Sequence, residues 1–193
     1  MHATGYMADA VKICETLNVS KIEQMVDVLV EARNKKGRMF ILGVGGSAGN
    51  ASHAVNDFRK LCGIETYSPM DNVSEISART NDEGWETIFE GWLKTSNLSS
   101  KDILMIFSVG GGSIERKVSV NIIKAIQLAQ EVGAKTLGIV GKAEGYTASE
   151  GDVVVVVPEV NPLLVTPLSE AFQSVVWHCI VSDPRLQLNS TKW

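Results

Sequence analysis

Long hydrophobic runs are missing from this sequence. Its most apolar stretch, Val153 to Val157, is far shorter than the ~20 residues that cross a bilayer, so no membrane partner is expected. Cysteine is scarce and dispersed at Cys14, Cys62 and Cys179, which excludes a disulfide framework or a thiolate zinc cluster and fits a reducing compartment. There is no basic run, and 18 basic residues against 22 acidic ones leave a formal charge of −4. A nucleic acid would find no cationic surface to drive binding. Met1 to Cys14 lack the basic-then-apolar order and small-residue cleavage site of a secretory signal, so a cytoplasmic location is expected. Repeats, low-complexity tracts and linkers are missing as well.

The 193 residues are 45% apolar and 21% charged, enough for one globular domain with a core and too few for two ordinary ones. A single domain over 1–193 is expected. Ile22, Met25, Val26, Val28, Leu29 and Ala32 recur at helical spacing over 20–35, and a weaker pattern covers 6–17. Strands are expected at Met39–Leu42, around Glu65–Ser68, and at Ile103–Phe107, Thr136–Val140 and Val153–Val157. Helices are expected over 47–60 with Ser47 as N-cap, over Trp85–Leu93, over 115–132, and from near Pro167 to about Ser182. Strands alternating with helices predict an α/β three-layer sandwich, a parallel sheet covered on both faces. Ligands on such sheets gather at the carboxyl ends of the strands.

Two glycine–serine loops fall at those ends. The first is Gly43-Val44-Gly45-Gly46-Ser47-Ala48 and the second Ser108-Val109-Gly110-Gly111-Gly112-Ser113. Glycines let a ligand approach the backbone N–H groups, and the helix that follows offers its positive end to an anion. Each loop alone is equally well read as a glycine turn, with Ser113 capping a helix. Two such loops in one small domain favour an anion such as a sugar phosphate. Gly43, Gly45 and Ala48 also match the G-x-G-x-x-A dinucleotide pattern, with Glu65 some 20 residues on. That pattern does not account for the second loop, so no nucleotide cofactor is expected.

The remaining chemistry lies in histidines and acids. His53 and Asp57 are four apart on one helix face, and Glu170 and His178 are eight apart on the last helix. Imidazole and carboxylate suit zinc and related divalent ions, and the same groups could transfer protons. Eight helical residues span roughly 12 Å, so Glu170 and His178 of one straight helix do not easily grip one ion. Two solvated polar pairs are the plain alternative. Asn81-Asp82, before Glu83-Gly84, reads as turn residues.

These motifs resemble the sugar isomerase (SIS) domain family, and within it the phosphoheptose isomerases, over nearly the whole chain. The family's G-N-G-G-S matches Gly43-Val44-Gly45-Gly46-Ser47, followed by His53 and Asp57 where the family has His and an acid. Its Asn-Asp pair matches Asn81 and Asp82, and its S-T-S-G-N-S loop lines up with Ser108 through Ser113. Its terminal Gln, with His eight later, falls on Glu170 and His178. The resemblance implies an aldose–ketose isomerase acting on a phosphorylated sugar through an enediol, most simply sedoheptulose 7-phosphate. It implies Asp57 and His178 as the acid–base pair and His53, Asp57, Glu170 and His178 around zinc. The substrate would meet Val44, Gly45, Gly46, Ser47, Asn81, Asp82, Ser108, Val109, Gly110, Ser113 and Glu170. It implies a homotetramer with sites between subunits, residues 1–36 serving in its packing. Val44 stands for the family's Asn, Val109 and Gly110 for Thr and Ser, Asp57 for Glu, and Pro167 for Asp. These departures also suit a non-catalytic sugar-phosphate regulator resembling the DnaA initiator-associating protein.

Overall fold

Five short strands form the centre of this computed structural model, which describes residues 1–191. They are β1 (Met39–Leu42), β2 (Thr66–Tyr67), β3 (Ile103–Ser108), β4 (Lys135–Val140) and β5 (Val153–Val156). All pair in parallel in the order β2-β1-β3-β4-β5. Met39 lies opposite Ile103, and Ser108 opposite Val140. Every residue of β1 and β3 is buried, which is why both read as unbroken apolar runs rather than alternating ones.

The helices are α1 (His2–Thr16), α2 (Val19–Asn34), α3 (Gly46–Cys62), α4 (Val73–Asp82), α5 (Ile88–Thr95), α6 (Val120–Val132), α7 (Tyr146–Glu150) and α8 (Val165–Val181). One core layer joins Leu29, Phe58, Val176 and Trp177, from α2, α3 and α8, to Ile41 and Phe107 of the sheet. The other joins Phe89 and Ile126, from α5 and α6, to Phe40, Leu42 and Ile106. The expected three-layer sandwich is therefore present. The chain leaves β1 toward β2 on one side and returns through β3 toward β4 on the other. The crevice between the ends of β1 and β3 is thus the switch point where such folds hold ligands.

Several boundaries differ from expectation. Helix α3 starts at Gly46 with Gly45 as its N-cap at φ 64, and Ser47 caps nothing. A side-chain cap needs an extended N-cap residue, whereas the left-handed Gly45 turns Ser47 into the helix and toward α8. Helix α6 starts at Val120 rather than near 115. Ser113 and Val118 instead exchange backbone hydrogen bonds of 2.9 and 3.1 Å, and Ser113 Oγ accepts from Arg116 N at 3.2 Å. Ser113 therefore caps a small hairpin, not the helix. Helix α8 starts at Val165, two residues ahead of Pro167, where proline is harmless because the first-turn N–H groups lack helical partners. The stretch expected as Trp85–Leu93 is a 3-10 turn followed by α5.

Close approach of β1 to α3 depends on Gly43. A Cβ there would lie 2.3 Å from the Ser47 carbonyl oxygen and 2.5 Å from its carbon. Because both are backbone atoms inside a helix, neither can yield cheaply. Gly43→Ala is expected to destabilise the protein by about 3 kcal/mol, read as a lower urea midpoint with unchanged slope. An unmoved midpoint would show that the helix start has slack.

Candidate functional site

The packing of α3 against α8 brings His53, Asp57 and His178 together. Asp57 is buried at 8% exposure. Its Oδ2 accepts from the Trp177 indole N–H at 3.1 Å, and its Oδ1 accepts from Asn56 Nδ2 at 3.1 Å. The Nε2 atoms of His53 and His178 stand 3.5 and 3.4 Å from Oδ2. The two imidazoles are 5.3 Å apart and nearly perpendicular. Trp177 in turn stacks on Phe107 of β3 at 5.6 Å, so the donor that orients the carboxylate is anchored in the core.

One donor atom from each of His53, Asp57 and His178 lies within 4.8 Å of the others. Two imidazole nitrogens and a carboxylate oxygen suit a divalent ion of the zinc type, and three protein ligands leave a position for substrate or water. The residues present therefore fit such an ion. Glu170 stands apart from the three. Its carboxylate covers Gly46, where an added Cβ would meet Oε2 at 2.4 Å and Oε1 at 2.6 Å. That separation follows from the helical rise between positions 170 and 178.

The first loop delivers Gly45 and Gly46 to the start of α3, while Val44 packs with the second core layer. Ser47, 1% exposed, accepts a hydrogen bond from Gln173 Nε2 at 3.0 Å. Asn50 Nδ2 donates to Gln173 Oε1 at 2.8 Å and to the Glu170 carbonyl at 2.9 Å. Sequence reasoning gave no role to Asn50, Gln173 or Trp177. The available signal was a glutamine on the apolar face of α8, with Leu168, Phe172 and Val176 around it. Glu65, spaced as a ribose ligand, accepts from the Tyr67 hydroxyl at 2.8 Å.

In the second loop Ser108 Oγ accepts from Gly111 N at 3.0 Å. The Gly111 carbonyl accepts from both the N–H and the hydroxyl of Thr147, at 2.8 and 2.7 Å. Tyr146 N donates to the Gly112 carbonyl at 2.9 Å, and Gly141 N to that of Val109 at 2.9 Å. Gly111 and Gly112 sit at φ 70 and 90, where a side chain would be strained. Among the described residues the N–H groups of Gly110 and Gly112 have no backbone acceptor. The loop borders a cavity of about 580 Å³ shared with Arg116, Lys142 and Thr166. Lys142 pairs with Glu159, and that hydrogen bond raises its pKa, while the nearby charge of Arg116 works against it.

Asn81 and Asp82 end α4 rather than forming a separate turn. Both are exposed, and Asn81 Nδ2 donates to Asp82 Oδ1 at 2.7 Å. Among the described residues no hydrogen bond links them to the histidine cluster or to either glycine loop. No helix among these residues is long and apolar enough to cross a membrane.

Comparison with known proteins agrees with this geometry. A family model described as SIS domain matches residues 5–141. The chain is 30% identical over 190 residues to the lincomycin biosynthesis protein LmbN of Streptomyces lincolnensis, covering 92% of this chain and 67% of that one. It is 29% identical over 142 residues to a phosphoheptose isomerase of Helicobacter pylori strain P12, covering 71% of this chain and 70% of that one. Its fold matches the phosphoheptose isomerase GmhA of Neisseria gonorrhoeae with a TM-score of 0.81 at 20% identity, over 93% and 96% of the two chains. The sheet order, the paired loops at the switch point and the matched residues lead to one assignment: the chain belongs to the SIS domain family and stands among its phosphoheptose isomerase relatives.

Proposed function

We propose that this protein is an aldose–ketose isomerase of a phosphorylated sugar, interconverting sedoheptulose 7-phosphate and glycero-manno-heptose 7-phosphate. The observation that carries the reading is the convergence of two half-exposed imidazoles on one buried carboxylate, held by α3, the helix that the first glycine loop opens, and by α8. Relatives that carry the name phosphoheptose isomerase support the substrate class.

Isomerisation moves one proton between adjacent carbons and one between their oxygens. In this reading Asp57 takes the proton from the carbon beside the carbonyl, and His178 serves the oxygen. Trp177 fixes the carboxylate by its N–H, so the base does not wander between rotamers. A divalent ion, zinc by donor type, would be held by His53, Asp57 and His178 with Glu170 as a further candidate, and would polarise the substrate carbonyl. The phosphate would lie on the N–H groups of Gly110 and Gly112, with Gly45, Gly46 and Ser47 nearer the reacting carbons. Val44 and Val109 would shape these walls, while Ser108 and Ser113, whose oxygens accept bonds within their own turns, keep their hydroxyl hydrogens to donate to the phosphate.

The chain would act as one SIS domain in the cytoplasm, as a homotetramer with sites between subunits. Exposed Met7, Val11 and Val19 support packing through the N-terminal helices of residues 1–36. Exposed Asn81 and Asp82 would then complete a neighbouring subunit's site. Val44, Val109 and Gly110, in place of polar residues, also suit a second reading, a regulator that binds sugar phosphate without turnover.

Incubation with sedoheptulose 7-phosphate in heavy water separates the two. The isomerase reading expects solvent deuterium on the product carbon next to the aldehyde. It also expects about a hundredfold lower kcat/KM for sedoheptulose lacking the phosphate. Absence of label across a panel of ketose phosphates would sink it and leave the regulator.

A further inference from the structure

We infer that Arg116 is a phosphate-binding and specificity-determining residue: its guanidinium, carried on the hairpin between Ser113 and Val118, supplies the full positive charge that the second glycine loop lacks for a sugar monophosphate. The consequence for turnover rests on the isomerase reading, but the capture of phosphate does not.

The cavity of about 580 Å³ beyond the ends of β3 and β4 is bordered by Gly110, Gly112, Arg116 and Lys142. Gly112 is buried, and its N–H, like that of Gly110, has no backbone acceptor among the described residues. Val109 and Gly110 bring no side-chain donor. The loop therefore offers an anion only the partial charges of amides and serine hydroxyls. A phosphate monoester carries close to two negative charges at neutral pH, and a cation strengthens each hydrogen bond it receives. Lys142 is already engaged by Glu159. Arg116 is exposed, and among the described residues only its backbone N–H is bonded, to Ser113 Oγ at 3.2 Å. Its guanidinium is uncommitted, and the planar fork suits two phosphate oxygens at once.

The hairpin decides which of two adjacent cations faces the loop. Ser113 and Val118 close it, and Lys117, at φ 51, donates its N–H to the Ile114 carbonyl at 3.2 Å. Arg116 borders the loop cavity, whereas Lys117 borders a separate one with Glu86 and Ile114. The charge of Arg116 is also felt at Lys142, across the same cavity. Glu115 and Glu144 stand on this rim as well, and they narrow the choice of ligand. Carboxylates accept from the hydroxyls of a polyol but repel further phosphates, as on a nucleoside triphosphate. The ligand class is thus a polyol bearing one phosphate.

Arg116→Gln removes the charge and leaves the backbone bond to Ser113 in place. Titration calorimetry with inorganic phosphate is expected to show about tenfold weaker binding in this variant, with a shallower loss of affinity as salt rises. Lys117→Gln removes the same charge from the other side of the hairpin and is expected to bind phosphate as the unmodified protein does. In turnover, Arg116→Gln should raise KM for sedoheptulose 7-phosphate about tenfold with kcat nearly unchanged, and leave dephosphorylated sedoheptulose unaffected. Equal weakening by both substitutions, no weakening by Arg116→Gln, or a KM rise shared by the dephosphorylated sugar would overturn the inference. So would an unmodified protein that takes up no phosphate. Phosphate binding that depends on Arg116, in a protein that turns over no sugar phosphate, would keep the inference and discard the isomerase reading alone.

Discussion

Replacing Asp57 with asparagine is expected to cut isomerase turnover by about a thousandfold while the protein stays folded. The carboxylate is buried at 8% exposure and carries three interactions on one oxygen, from Trp177 N–H at 3.1 Å and from imidazoles at 3.4 and 3.5 Å. Asparagine keeps an oxygen for the indole, so the core contact survives, but it cannot take a carbon-bound proton. It is also a poorer ligand for a divalent ion than a carboxylate. Asp57→Ala should add a stability loss of about 1–3 kcal/mol, because the Trp177 N–H is left buried without an acceptor. Turnover assays paired with elemental analysis check both halves. Asparagine at this position with undiminished turnover would remove Asp57 from the chemistry.

The second large effect concerns folding. Asp102, 3% exposed, sits at the start of β3 and accepts from Arg38 N, Nε and Nη2 at 2.9, 3.2 and 2.8 Å. It also accepts from Ser99 N and Oγ, both at 2.9 Å. Arg38 spends its other donors on the carbonyls of Ser96 and Asn97, each at 2.9 Å. One carboxylate therefore ties the entry of β1 to the loop that feeds β3. Asp102→Ala strands a half-buried guanidinium and is expected to cost about 3–5 kcal/mol, seen as a lower urea midpoint at neutral pH.

The pH dependence follows from the same contacts. Burial pushes the Asp102 carboxyl up, but the hydrogen bonds from Arg38 and Ser99 together outweigh it and hold the group below its ordinary 3.8. Because the folded value lies below the unfolded one, this contribution is present above the ordinary value and is lost as pH falls through the folded one. Wild-type stability should drop below about pH 4, and Asp102→Asn should flatten that acid limb. An acid limb equally steep in the variant would assign it to other carboxylates.

How far the residues foretold this molecule depends on what each element buries. The strands and α2 were legible because their apolar residues face the core. Helix α4 was not, since none of its ten residues is buried and periodicity has no apolar face to report. It is held instead by the Asn72 cap on Glu75 N and by Arg79 pairing with Glu75 and Glu83. Helix α7 has five residues, too few for a helical pattern. The start of α6 was misplaced because Ser113 is a good cap in either setting, and only its pairing with Val118 decides which turn it closes. In the site, the spacing of His53 and Asp57 was visible along one helix. Their meeting with His178, and the support from Trp177 and Gln173, depend on the packing of α3 against α8, which no local pattern encodes.

The stitching of Gly111 and Gly112 to Thr147 and Tyr146 gives the second loop a property that its composition hides. Three successive glycines form the most pliable segment a chain can offer, and ordering them carries a large entropic cost. Here that cost is met when the protein folds, because two carbonyls of the segment are already clamped to the start of α7. An anion arriving at Gly110 and Gly112 would meet amides preorganised for it, and its binding energy would not be diverted into freezing a floppy turn.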